Sequence, residues 1–466
     1  MGVAVSGHRL ARAVARAGQM GVVSGTALDT VLVRRLQDGD PDGDVRRALA
    51  RFPDPDLAGR LLDRYYLPGG RPSGRPYRRT GLRTARRDRN ADALAALAAF
   101  AEVSLAKEDA RGPIGINLLT KIQLSTLPTL YGAMLAGVDW VLMGAGIPRD
   151  VPGVLDRFAE QGAASLRLDV ADAPRGSEPV QLRFDPAEHG WDALGPLRRP
   201  AFMPIVASHA LASMLLKRAT GRIDGFVVEG PTAGGHNAPP RGPARTDADG
   251  APRYGPRDVV DLDAVAALGL PFWLAGGTGT PEGLSEAHAR GAAGIQVGTL
   301  FAYCDESGLD SGLKRSVVER TRHGDVRVRT DGRASPTGFP FKVADLSGTT
   351  AEPKVYEARE RVCDLGYLRE AAHGPDGRLA FRCPAEPVDA YVAKGGRVED
   401  TIGRVCLCNG LAAAAGMPQV QKGGRVERPV VTSGDAIMDV RRVLKPGATG
   451  YAARDVVAFL TGVGEA

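Results

Sequence analysis

Short runs of uninterrupted apolar residues alternate along this chain with stretches whose apolar positions recur every three to four residues. The runs fall at 2–5, 20–24, 114–119, 140–143, 203–207, 225–229, 272–275 and 294–297. Strands buried on both faces read this way, whereas half-exposed strands alternate with polar residues. Helical spacing follows several of them, with Leu10, Ala13, Val14 and Ala17 after the first and further amphipathic stretches at 92–108 and 281–290. Repeated βα units predict an α/β protein with a parallel sheet, and a count of eight predicts a (β/α)8 TIM barrel with insertions. An open doubly wound sheet is the architectural alternative.

The spacing between runs is uneven, which locates the insertions. Residues 38–90 are rich in Asp, Pro, Gly and Arg, and 166–200 read as a hairpin (166–170 with 180–184) and a loop. Residues 346–430 follow the last strand and carry four of the five cysteines. The expected organisation is a barrel over 1–345, a Cys-bearing C-terminal cap over 346–430, and a closing helical segment over 431–466 with its helix at 455–460. A segment leaving after a barrel's last strand starts at the face where active-site loops lie, hence the expectation of a cap.

Charge changes the picture little. The 60 basic and 54 acidic side chains leave +6, and only 71–89 concentrates the excess, with eight arginines and a single aromatic, Tyr77. That is poor equipment for stacking bases, so a solvated loop or anion-facing lid is expected there, with no nucleic-acid partner. No run of eighteen apolar residues occurs, and the N-terminus lacks the apolar region of a secretion signal, so no membrane association and a cytoplasmic location are expected. Five cysteines do not suit a secreted disulfide framework. Cys363, Cys383, Cys406 and Cys408 have the composition of a metal site, but a single CxC spacing argues against one, and no metal is expected. Cys304 reads as a core residue.

Two glycine-rich turns close the last two strands, Ala275-Gly276-Gly277-Thr278-Gly279 and Gln296-Val297-Gly298-Thr299. Paired turns of this kind let backbone N–H groups approach a phosphate. A third, Glu229-Gly230-Pro231-Thr232-Ala233-Gly234-Gly235-His236, ends the sixth run and places an imidazole able to move a proton at the catalytic face. Among the other histidines only His209, just past the fifth run, has an expected view of the pocket; His8, His189, His288, His323 and His373 read as surface or core residues.

These pieces resemble the nitronate monooxygenase family, once called 2-nitropropane dioxygenases, which are FMN-binding TIM barrels. LARAVARAGQMGVVSG is similar to the family's opening helix and the strand under the flavin ring, and PIGINLL to the strand whose asparagine meets the flavin. GFVVEGPTAGGHN is similar to its Gly-Gly-His signature, LAGGTGTPEGLSEAHARGAAGIQVGTLF to its phosphate turns, and SPTGFPFKV more faintly to a later loop. The resemblance implies FMN held by Met20, Gly21, Val22, Asn117, Glu229, Gly234, Gly235, Gly276, Gly277, Gln296, Val297, Gly298 and Thr299, with His236 as catalytic base. Two departures lie beside the chemistry: Glu229 stands for the family's glutamine, and Thr232 for its glutamate.

The function implied is an FMN-dependent oxidoreductase that oxidises a nitronate-like or related small carbon acid with O2. The alternative is an NAD(P)H-dependent FMN enoyl thioester reductase, of the kind used in fatty acid or polyketide biosynthesis, because such enzymes resemble the same Gly-Gly-His element. A non-redox phosphate-binding barrel would explain the turns but not the segment 19–25. The partners expected are a small-molecule substrate with O2 or NAD(P)H, and a homodimer is left open.

Overall fold

The computed structural model describes residues 2–173, 176–243 and 245–463. Seven parallel strands form one sheet in strict chain order: β1 (Gly21–Ser24), β2 (Ile114–Leu119), β3 (Trp140–Gly144), β4 (Ala201–Val206), β5 (Phe226–Glu229), β6 (Phe272–Ala275) and β7 (Gly294–Gln296). Helices lie between successive strands on the outside, so the sheet curls as an α/β, TIM-barrel-like fold. Burial on both faces explains the unalternating runs: Ile114, Ile116, Val141, Phe202, Phe226 and Phe272 are each at most 1% exposed.

One expected strand is absent. Residues 2–5 form turns, with Ala4 in the left-handed region at φ 56°, and the next residue, Ser6, meets β1 by accepting from Ser24 N–H and donating its Oγ proton to the Val22 carbonyl. A four-residue apolar run suits a buried turn as well as a strand; Val3 and Ala4 are buried in a small cluster with Val31 and Met417. Among the described residues no ladder joins β7 to β1. The helix Ala453–Thr461, expected at 455–460, packs on His8–Arg16 and Pro281–Ala289 and so covers this gap from outside.

Close approaches of backbone set the geometry. A Cβ on Gly21 would lie 1.9 Å from the Ala11 carbonyl oxygen, so this glycine lets the first helix lie directly on β1. Gly132 does the same against Ala96, joining the helices Thr126–Leu135 and Arg89–Ala106. The latter is buried nearly all round, which its alanines allow, and Asp88 caps it by accepting from the Asn90 and Ala91 N–H groups.

The insertions pack onto the sheet's periphery and one another. Residues 38–90 contain two helices, Asp44–Leu49 and Pro55–Tyr65, then an extended strap. In that strap Tyr77 is 4% exposed, with the Arg71 guanidinium 3.9 Å from its ring centre, so its ring is closed to any base. Its backbone N–H and carbonyl exchange hydrogen bonds with the Gln419 amide, and Arg83 pairs with Asp29 and Asp92. The expected hairpin forms as Ala164–Arg167 against Gln181–Phe184. Val170–Ala171 instead joins the hairpin Glu370–His373/Leu379–Arg382 of the 346–430 segment.

Candidate active site

A cavity of about 590 Å3 opens at the C-terminal ends of the strands and runs down the gap between β7 and β1. Its floor is apolar, with Leu142, Met203, Ile205, Val227 and Trp273, and the helix Ala453–Thr461 contributes Val457 and Leu460 at the far end. Every residue expected to meet the cofactor lines it except Gly21, whose α-carbon faces the first helix. His209 is exposed at the start of the helix His209–Arg218 and does not reach the cavity; His288 borders it, with Nδ1 bonded to the Ala292 carbonyl.

The Gly-Gly-His turn is held in extended pairing with 340–342: Asn237 N–H donates to the Pro340 carbonyl, and Lys342 N–H to the Gly235 carbonyl. His236 stands on Phe341, ring centres 4.9 Å apart, and its Nε2 lies 2.7 Å from Ser335 Oγ. Ser335 Oγ accepts from Thr337 N–H and lies 2.8 Å from Thr337 Oγ1. The single serine proton therefore goes either to Thr337 or to the imidazole, which sets the tautomer of His236. Burial, with the nearby Lys121 ammonium adding, lowers the His236 pKa to about 4, so the ring is neutral across the physiological range. Nδ1 has no partner among the described residues.

Glu229, at the end of β5, has no hydrogen-bond partner among the described residues, and burial raises its pKa to about 7. Deep in the molecule, its side chain still borders the open cavity and keeps partial exposure. When protonated it donates a hydrogen bond as a glutamine amide would, which softens this departure from the family pattern. Thr232, the other departure, lines the cavity against the glycine turn: a Cβ on Gly276 or Gly277 would sit 3.1 Å from its Oγ1. Gly276 and Gly277 have φ of 91° and 73°, a region L side chains rarely enter.

Several groups have no use within the protein. Gln296 Oε1 is buried without a hydrogen-bond partner. The N–H groups of Gly277, Gly298 and Thr299 reach no acceptor among the described residues, and a Cβ on Gly298 would meet nothing within 4 Å. Unpaired donors facing an open cradle at two adjacent strand ends, plus a buried acceptor, fit a phosphate-bearing, hydrogen-bonding ligand such as FMN.

Sequence reasoning missed the run Thr432-Ser433-Gly434-Asp435, which ties the Gly-Gly-His turn to the turn ending in Thr299. Gly235 N–H donates to Thr432 Oγ1 (2.8 Å), Gly434 N–H to Thr299 Oγ1 (3.0 Å) and Asp435 N–H to the Thr232 carbonyl (3.0 Å). Only its small polar composition after Val430-Val431 signals a close backbone passage. Ser335, Phe339 and Phe341 were legible only as the faint SPTGFPFKV similarity.

Residues 198–334 match the model of the nitronate monooxygenase family. The chain is 30% identical over 222 residues to the (3aS,4S,5R,7aS)-5-hydroxy-7a-methyl-1-oxo-octahydro-1H-indene-4-carboxyl-CoA dehydrogenase of Mycobacterium tuberculosis, covering 43% of this chain and 58% of that protein. It is 29% identical over 192 residues to a nitronate monooxygenase of Paraburkholderia phytofirmans, covering 41% and 50%. The chain thus spans about half the length of these curated relatives. Among solved structures, FabK from Thermotoga maritima aligns over 99% of this chain and 90% of its own at 16% identity and a TM-score of 0.46. Nitroalkane oxidase from Streptomyces ansochromogenes aligns over 99% and 93%, at 16% identity and a TM-score of 0.43.

Proposed function

We propose that this chain, which belongs to the nitronate monooxygenase family, is an FMN-dependent oxidoreductase that oxidises a small carbon acid of the nitroalkane or nitronate type with O2. The observation that carries the reading is the neutral, unpartnered Nδ1 of His236 in a cavity whose rim presents unsatisfied N–H groups. In this reading Gly277, Gly298 and Thr299 hold the FMN phosphate through their N–H groups, and Gln296 and Asn117 meet the ring. Bound FMN supplies the electron-accepting chemistry and the route to oxygen.

The chain's own residues do the rest. His236 Nδ1 takes the proton from the carbon beside the substrate's electron-withdrawing group, and Ser335 keeps the ring turned toward it through Nε2. A lone pair free at neutral pH is what a base needs, and an anionic substrate strengthens it by stabilising the imidazolium. Phe341, Leu411 and Val430 line the cavity with apolar surface and exclude water from the site. The segment 346–430 contributes Leu411, Ala414 and Val430 to that wall, which supports its assignment as a cap over the barrel 1–345.

The test is anaerobic mixing of the flavin-loaded protein with an alkyl nitronate, NADH or NADPH. Bleaching of the flavin by the nitronate, and reoxidation on admitting oxygen, is the expected result. The similarity to a carboxyl-CoA dehydrogenase favours a second reading, a reductase of enoyl thioesters in which His236 returns a proton to product; rapid bleaching by a pyridine nucleotide selects it. Release of FAD, or no flavin at all, overturns both.

A further inference from the structure

We propose that Ser433 donates its hydroxyl proton to the phosphate of FMN, so that the segment following the cap completes the cofactor site and is clamped to the barrel by the bound cofactor. The proposal rests on the flavin reading above and adds to it a ligand from outside the barrel. Ser433 lies in a stretch without regular secondary structure, between Val430-Val431 and the short helix Asp435–Asp439. Loop serines are mostly exposed. This one is 3% exposed, and it lines the cavity.

The backbone around it is fixed on both sides. Thr432 Oγ1 accepts from Gly235 N–H, Gly434 N–H donates to Thr299 Oγ1, and Asp435 N–H donates to the Thr232 carbonyl. The Asp435 carboxylate is also paired with Lys342 Nζ, at 2.6 Å. Contact is close enough to need glycine: a Cβ on Gly234 would sit 2.9 Å from the Ser433 carbonyl carbon, and one on Gly434 would sit 2.8 Å from Thr299 Oγ1. Ser433 is thereby held next to the turn whose Gly298 and Thr299 N–H groups reach no acceptor.

Its own hydroxyl has no use within the chain. Ser433 Oγ is buried and makes no hydrogen bond among the described residues. Ser433 acts on the buried Tyr303 phenol, yet that hydroxyl too is without a hydrogen-bond partner. A buried donor without an acceptor costs free energy, and native proteins keep few of them. A phosphate monoester brings three acceptor oxygens to this spot.

The charge of the cavity makes a hydroxyl donor count. Among the described residues lining it there is no lysine or arginine. A phosphate there is held by neutral donors alone, namely the turn N–H groups and this hydroxyl. Hydrogen bonds to an anion are stronger than those between neutral groups, so each donor carries a large share of the affinity. Because the N–H groups belong to the barrel and the hydroxyl to 432–435, the phosphate bridges the two, and binding stabilises their contact.

The flavin-free full chain, wild type and Ser433→Ala, should be titrated with FMN and with riboflavin, which lacks the phosphate, and followed by flavin fluorescence. The variant should bind FMN roughly ten- to hundredfold more weakly, the range for losing one hydrogen bond to a charged group. Its affinity for riboflavin should stay that of wild type. Equal losses for the two flavins would place the hydroxyl against the ring or the ribityl chain and overturn the proposal, as would unchanged FMN affinity. If Ser433→Ala does not fold, hydrogen exchange on the wild-type chain decides: FMN should slow the amides of Gly434 and Asp435 more than riboflavin does, and equal protection overturns the clamp. A wild-type chain that binds neither flavin sinks the flavin reading. Inorganic phosphate, followed by phosphorus NMR, then tests Ser433 alone: binding that weakens in Ser433→Ala supports it as a phosphate ligand, and no binding, or binding unchanged in the variant, overturns it.

Discussion

Ser335 Oγ lies 2.7 Å from His236 Nε2, and the two residues come from segments 99 positions apart. The contact leaves Nδ1 to face the cavity. Ser335→Ala should keep flavin content unchanged and lower kcat by roughly ten- to hundredfold, the scale of losing orientation. His236→Ala should lower it by roughly a hundredfold or more. Steady-state assay with a neutral nitroalkane, whose carbon still carries the proton, alongside flavin absorbance, checks both; full activity in His236→Ala would return this histidine to a structural role.

Glu229 predicts a pH effect of definite sign. Its folded pKa, about 7, lies above the ordinary 4.5. Its contribution to stability is therefore fully present below about pH 4.5 and is lost as pH rises through 7. Glu229→Gln should be more stable than wild type at pH 8, by on the order of 2 kcal/mol once partial access through the cavity is allowed for, and nearly equal at pH 5. Urea unfolding of flavin-free protein at the two pH values measures it.

Gly298 separates cofactor binding from folding. Its φ and ψ of −112° and −53° are open to any residue, and a Cβ there meets empty space. Gly298→Val should fold normally and bind FMN at least tenfold more weakly, about 1.4 kcal/mol, by flavin fluorescence titration.

Gly21 predicts the reverse. A Cβ 1.9 Å from the Ala11 carbonyl oxygen cannot be accommodated without moving the helix His8–Arg16. Gly21→Ala should cost about 3 kcal/mol, the upper end for overpacking. FMN affinity in the folded fraction should change less than stability does, since Gly21 is not on the cavity wall; a purely flavin-binding defect would contradict this.

Most of the sheet was legible in the chain because buried parallel strands leave continuous apolar runs. β2 and β6 fall at 114–119 and 272–275 as read, and the other five shift by one or two residues at their ends. The failure at 2–5 has the same root: an apolar run records burial and does not distinguish a strand from a buried turn. The glycine turns and His236 were legible for a different reason, since glycines between a strand and a helix mark backbone that must approach something closely.

What the chain order could not carry was the pairing of distant segments. That Thr432 to Asp435 joins two of the glycine turns, that Ser335 orients His236, and that Gln419 locks Tyr77 depends on contacts 99 to 342 residues apart for which no local pattern exists. His209 illustrates the converse, a residue well placed in sequence whose helix turns it outward to solvent. The four cysteines show the division most plainly. The sequence determined their number and spacing; the packing of two loops and a helix end decided that the four side chains share one apolar cluster, because convergence in space is a property of the fold and not of the interval between residues.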